Sequence, residues 1–165
     1  MKIHTLAVFP GTFDPPTLGH FDIISRAAAI FDELVVAVAK SPSKHTFISL
    51  EDRTYMLEQT CERQRLTNVR IVGFAGLLVD FLKELDAKIL VRGVRTVADF
   101  DYEVQLTGMY RAMMPNLEIV MMPTSGHLSY ISSSLVREVI IHQGDISPFV
   151  PEEVAKIISQ QYLKK

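Results

Sequence analysis

The sequence predicts an α/β fold: a parallel five-stranded sheet with helices on both faces and a C-terminal helix. Two observations carry this expectation. Apolar strand-like runs alternate with helix-period segments along the whole chain, and Leu34-Val35-Val36-Ala37-Val38 is apolar throughout, like a strand covered on both faces. Polar loops containing Gly, Pro, Ser and basic residues follow several of these runs, where a parallel sheet collects its ligand groups.

Leu6 to Phe9 is the first strand and Leu18 to Phe31 the first helix. Thr17 is a good N-cap, which puts Gly19 and His20 at about N2 and N3. Glu33 to Ala39 is the second strand, and Ser49 opens a helix reaching about Gln64. Val69 to Phe74, Ile89 to Val91 and Leu117 to Met122 are the remaining strands, with a short helix at Leu77 to Leu85. From about Ala98 to Met113 the chain is helical, with Tyr102, Leu106, Met109 and Met113 on one stripe expected in the core or a subunit interface. Beyond a loop at Gly126 to Tyr130, Ser132 begins a helix ending near Gly144 as its C′ residue. Pro151 at N1 opens the last helix, which finishes on Lys164-Lys165. With right-handed crossovers these elements make one Rossmann-like domain over residues 1–165, without repeats, linkers or low-complexity segments.

Composition narrows the function. At 48% hydrophobic and 22% charged residues the chain is an ordinary globular protein, and its formal charge of -2 gives no general pull toward nucleic acid or anionic membranes. Cys61 is the only cysteine, which excludes an internal disulfide and a cysteine metal cluster and suits a reducing, cytoplasmic setting. Met1 to His4 leads straight into the first strand, so no signal peptide or membrane span is expected. The histidines show no metal-ligand spacing, and G-x-G-x-x-G, Walker-type and G-x-S-x-G motifs are absent.

The chemistry gathers after the strands. Gly11 and three prolines lie in a stiff stretch before the first helix, whose start brings backbone N–H groups, a close-approach glycine and the His20 imidazole to one spot. Such a spot suits an anion, above all a phosphate. Lys44 follows the second strand, Arg92 and Arg95 the fourth, and Ser132, Ser133 and Ser134 the fifth. Each has an ordinary alternative. Lys44 is a loop lysine, the arginines have Asp99, Asp101 and Glu103 nearby to pair with, and the serines suit a helix cap.

Thr17-Leu18-Gly19-His20 resembles the T-x-G-H form of the nucleotidyltransferase motif. With Pro10 to Pro15, Ser41 to Lys44, Arg92 to Arg95, Asp99 to Leu106 and Ile131 to Glu138, the chain is similar to the bacterial phosphopantetheine adenylyltransferase family over nearly its whole length. The resemblance implies transfer of AMP from ATP to 4′-phosphopantetheine, with Mg²⁺, feedback by coenzyme A and a homohexamer. It implies that His20, Lys44, Arg95 and Thr12 are catalytic, with His20 on the ATP phosphates stabilising the transition state. Thr12, Lys44 and Arg92 would hold phosphopantetheine, and Leu78, beside Gly76 and Leu77, its pantetheine arm. Thr12, Phe13, Gly93, Val94, Arg95 and Glu103 would line ATP. Leu128, Ser129, Tyr130, Ile131, Ser132, Ser133 and Ser134 would take the adenine and outer phosphates. Leu128 departs from the aromatic that many members carry near it, which touches the adenine pocket and not the reaction.

That chemistry suits the residues. The nucleophile is already an anion, so the protein must hold two polyanions in line and stabilise charge on the α-phosphate and pyrophosphate. The alternatives are another T-x-G-H transferase, acting on a nicotinate or nicotinamide mononucleotide or on CTP, and a non-catalytic adenine-nucleotide sensor. Ser43-Lys44 and Arg92 to Arg95 separate the first from the phosphopantetheine enzymes, and retention of transition-state groups argues against the second.

Overall fold

The computed structural model describes residues 4–40 and 45–163. Its elements are β1 (Leu6–Gly11), α1 (Leu18–Ile30), β2 (Glu33–Lys40), α2 (Leu50–Arg63), β3 (Val69–Ala75), α3 (Leu78–Glu84), β4 (Ile89–Val94), α4 (Val97–Met113), β5 (Glu118–Pro123), α5 (Ser133–Ile141) and α6 (Glu152–Gln161). A 3-10 turn at Gly126–Leu128 precedes α5.

The five strands are parallel in the order β3-β2-β1-β4-β5. The chain winds outward from β1 to β3, then returns to the other side of β1, so the winding reverses between β1 and β4. Ligands of open α/β sheets bind at that reversal, outside the carboxyl ends of the strands. Here the sheet also parts there. β1 stays paired with β2 as far as Gly11↔Val38, and β4 with β5 as far as Val94↔Pro123. Between β1 and β4, however, only Ala7↔Ile89 and Val8↔Leu90 pair. Pro10, which has no N–H to give to a ladder, falls inside the split.

Apolar side chains cover both faces. Phe21, Ile24 and Ala27 of α1 and Leu57 and Cys61 of α2 pack on Ala7, Phe9, Val36 and Val38. On the opposite face Leu78 and Leu82 of α3 meet Val8, Val35 and Ala37. A third cluster joins Ile48 and Met56 to Val136 and Ile140 of α5 and Val154 and Ile158 of α6. The C-terminal helices thus hold α2 and the segment before it.

Several expectations need correction. β1 runs on through Pro10 to Gly11, and β4 to Val94, so Arg92 and Gly93 are strand residues and not loop residues. Pairing of Arg92 with Met121 and Gly93 with Met122 keeps β4 extended past its apolar core. Pro151 is the N-cap of α6, not N1, and that helix ends at Gln161, while Lys164 and Lys165 lie outside the described residues. The C′ position of α5 belongs to Gln143, at φ 57, and not to Gly144. The N–H of Gly144 closes the helix by bonding Val139 O at 2.8 Å, where a Cβ would sit 2.8 Å from Val139 Cγ1. Of the two places expected for the α4 stripe, the core is ruled out: Glu103 is the one buried residue of that helix, while Tyr102, Met109 and Met113 are exposed.

Candidate active site

A cavity of about 420 Å³ opens at the split between β1 and β4. Its floor is set by the start of α1. Thr17, at N-cap, accepts a hydrogen bond from the N–H of His20 at N3, and the His20 side chain reaches back to the Thr17 N–H. Imidazole thus replaces the Glu or Gln of an ordinary capping box. The bond from Thr17 N to Nδ1 is 3.0 Å, so Nδ1 is an acceptor and the ring proton sits on Nε2. His20 can therefore offer the cavity a donor without being charged.

Phe13 fixes the ring from the other side. It is buried at φ 51, with its ring edge-on to Phe9 at 5.6 Å and to His20 at 4.9 Å. Gly11 makes room for it, since a Cβ there would lie 2.9 Å from Phe13 Cζ. Gly11→Ala is expected to cost about 1–3 kcal/mol as an overpacked site. It should also lower turnover, because the displaced ring is the one that seats His20. Thermal melting and kcat would check both effects, and a variant matching wild type in each would contradict this account.

Three arginines line the cavity, each beside a carboxylate. Arg92 donates from Nε to Glu103 Oε2 at 2.7 Å and from Nη2 to Oε1 at 2.6 Å, leaving Nη1 outside the fork. Arg95 lies 3.3 Å from Asp99 and donates to Ile131 O at 3.0 Å. Arg137 of α5 donates to the Asp14 carbonyl and to Ser134 Oγ, with the Asp14 carboxylate 3.7 Å away. Asp14 is itself buried and accepts the N–H groups of Phe47 and Ile48 at 2.8 and 2.9 Å. Among the described lining residues, positive and negative side chains therefore balance. Directed dipoles matter more here than net charge. Ser132 caps α5, and Ser133 Oγ donates to Pro15 O at 2.8 Å, which docks that helix N-terminus against the loop before α1.

Burial, reinforced by the nearby Arg95 charge, lowers the His20 pKa from 6.5 to about 4. Although one edge opens to the cavity, the imidazole is enclosed on its other sides, and desolvation outweighs its exposure. Between pH 4 and 6.5 the unfolded chain binds the proton that the folded chain refuses. Stability therefore rises with pH through that window, is complete above it, and falls by about 3 kcal/mol on acidification to its lower end. By NMR the ligand-free His20 ring should remain neutral at pH 6. A resonance titrating near 6.5 would contradict the assignment.

The chain matches the cytidylyltransferase-like family model over residues 8–139. It is 51% identical over 157 residues to a phosphopantetheine adenylyltransferase of Tolumonas auensis, covering 95% of this chain and 94% of that protein. The chain belongs to the cytidylyltransferase-like family, on its phosphopantetheine adenylyltransferase branch. A crystal structure of a candidate nicotinate-nucleotide adenylyltransferase from Vibrio parahaemolyticus superposes with a TM-score of 0.74. It covers 99% of this chain and 98% of its own at 18% identity, a likeness of fold.

Of the residues that the family motifs single out, Thr12, Phe13, His20, Arg92, Gly93, Arg95, Glu103, Ile131, Ser132, Ser133 and Ser134 line the cavity. Val94, Leu128, Ser129 and Tyr130 stand outside its lining, and Leu78 is buried under the far face of the sheet. Lys44 lies outside the described residues. The cavity also takes in Asp14, His45, Thr46, Asp99, Tyr102 and Arg137, which sequence reasoning did not assign to the site. Asp14, Asp99, Tyr102 and Arg137 lie within the stretches that carry the family resemblance, and Arg137 also sits one turn beyond Ser133 on the helix that the serines cap.

Proposed function

We propose that the chain is a phosphopantetheine adenylyltransferase. It transfers AMP from ATP to 4′-phosphopantetheine, giving dephospho-coenzyme A and pyrophosphate. The observation that carries the reading is His20, a neutral donor fixed by its Nδ1 contact at the mouth of a split parallel sheet, between helix N-termini and three arginines. A phosphate oxygen of phosphopantetheine attacks the α-phosphorus of ATP in line. The new P–O bond forms as the bond to the bridging oxygen breaks, and that electron pair leaves with pyrophosphate. His20 Nε2–H donates to an α-phosphate oxygen as charge builds there. Arg95, Arg137 and the α5 N-terminus face the departing phosphates. Thr12, Lys44 and the Arg92 Nη1 that lies outside the fork hold the acceptor phosphate, and Glu103 aligns Arg92.

The described residues do not form a protein cage for a metal. No cluster of three or more His, Cys, Asp or Glu is present among them, and the cavity carboxylates are engaged by N–H groups or arginines. Magnesium would arrive with ATP, held by phosphates and water, and would neutralise part of their charge.

The reading extends to a cytoplasmic homohexamer subject to feedback by coenzyme A. Self-association is supported by the exposed apolar residues of α4, among them Val97, Tyr102 and Met109. No described helix is long and apolar enough to cross a membrane.

Pyrophosphate release from MgATP tests the reaction. Release should require 4′-phosphopantetheine. Release only with nicotinamide mononucleotide would overturn the acceptor, and ATP binding without release would favour a nucleotide sensor.

A further inference from the structure

Arg53 is the largest side chain sealed inside the described protein, at 1% exposure. Among the described residues its guanidinium makes no carboxylate bond and serves backbone carbonyls only. Nε donates to Ile48 O at 3.1 Å and Ser49 O at 3.2 Å, and Nη1 donates to Ala39 O at 3.1 Å and to Thr12 O. One planar group thus ties the loop after β1, the end of β2 and the entry to α2. Ala39 and Ile48 flank the segment that contains Lys44. From the other side the Asp14 carboxylate takes the N–H groups of Phe47 and Ile48. A buried cation thus grips Ala39, Ile48 and Ser49 by their carbonyls, and a buried anion grips Phe47 and Ile48 by their amides.

Burying an arginine is costly, and burial opposes the Arg53 charge here, with Asp14 partly restoring it. An apolar side chain would fill the same space without that cost but would leave four carbonyl contacts unmade. Given the reaction proposed above, we infer that Arg53 is a positioning residue for the acceptor phosphate. It holds Thr12 in register with residues 45–48, whose His45 and Thr46 line the same cavity as Thr12. The groups facing ATP, namely His20, Arg95, Ser133 and Arg137, make no contact with it in the hydrogen bonds above.

Arg53→Lys keeps the charge and loses the fork, since one ammonium cannot span three segments. We expect the KM for 4′-phosphopantetheine to rise about tenfold or more while the Kd for ATP stays within about twofold, as for a misplaced positioning group. Thermal melting establishes that the variant is folded. An unchanged acceptor KM, or equal weakening toward both substrates, would overturn the inference. If Arg53→Lys shows no cooperative melt, Arg53→Gln, whose amide still donates to part of the carbonyl set but cannot span it, is read in the same way and decides. Wild-type turnover tests the reaction separately. If the wild type uses another phosphorylated acceptor, the same comparison of substrates is made with that acceptor.

Discussion

His20→Ala is expected to lower kcat by a hundredfold or more while the protein stays folded. Loss of one preorganised donor to a developing oxyanion typically costs about 3 kcal/mol of transition-state stabilisation. The His20 donor meets that description, because its Nδ1 is committed to the Thr17 N–H and Phe13 braces the ring. Loss of the capping contact should cost only about 1 kcal/mol, a melting shift of a few degrees. Steady-state kinetics beside a thermal melt separates the two effects. A kcat near wild type would remove His20 from the mechanism. Because the role asks for a donor and not a base, kcat should also show no break near pH 6.5 arising from this group.

Glu103→Ala should produce the largest loss of stability of any single charge removed from the cavity. Arg92 and Glu103 are bonded twice, and their side chains are only 20% and 9% exposed. Burial works against the Arg92 charge, and Glu103 more than restores it. Removing one partner of such a pair strands the other and costs about 3–5 kcal/mol, near 10 °C in melting temperature for a chain of this size. The exposed pair Arg63–Glu152, at 58% and 55%, is by contrast worth less than about 1 kcal/mol. The double variant Arg92→Met with Glu103→Leu should melt close to wild type, because neither charge is stranded, yet turn over poorly. A Glu103→Ala protein melting within a degree or two of wild type would show that solvent screens the pair.

The sequence made the alternation of elements, the α1 cap and the convergence of groups beyond the strand ends legible. These are properties of short stretches: a threonine before a helix, an apolar run, a glycine loop. It did not show which carboxylate Arg92 would choose among Asp99, Asp101 and Glu103. That choice depends on α4 placing Glu103 inward over a strand that continues to Val94. Nor did it distinguish a helix stripe facing the core from one facing outward, since Tyr102 and Met109 have the same spacing in either case. Arg53 and Asp14 escaped notice for a related reason. An arginine four residues after a helix cap reads as solvated until the loop carbonyls around it are seen.

The packing of Cys61 has a practical consequence for spectroscopy. The chain's only thiol lies between α2 and the sheet, 5% exposed, with its pKa pushed up to about 12 by burial. At neutral pH it is protonated and shielded, so maleimide reagents would pass it by. A cysteine introduced at Ile30, at the exposed end of α1, would then carry a dye or spin label alone, with no need to delete the native residue.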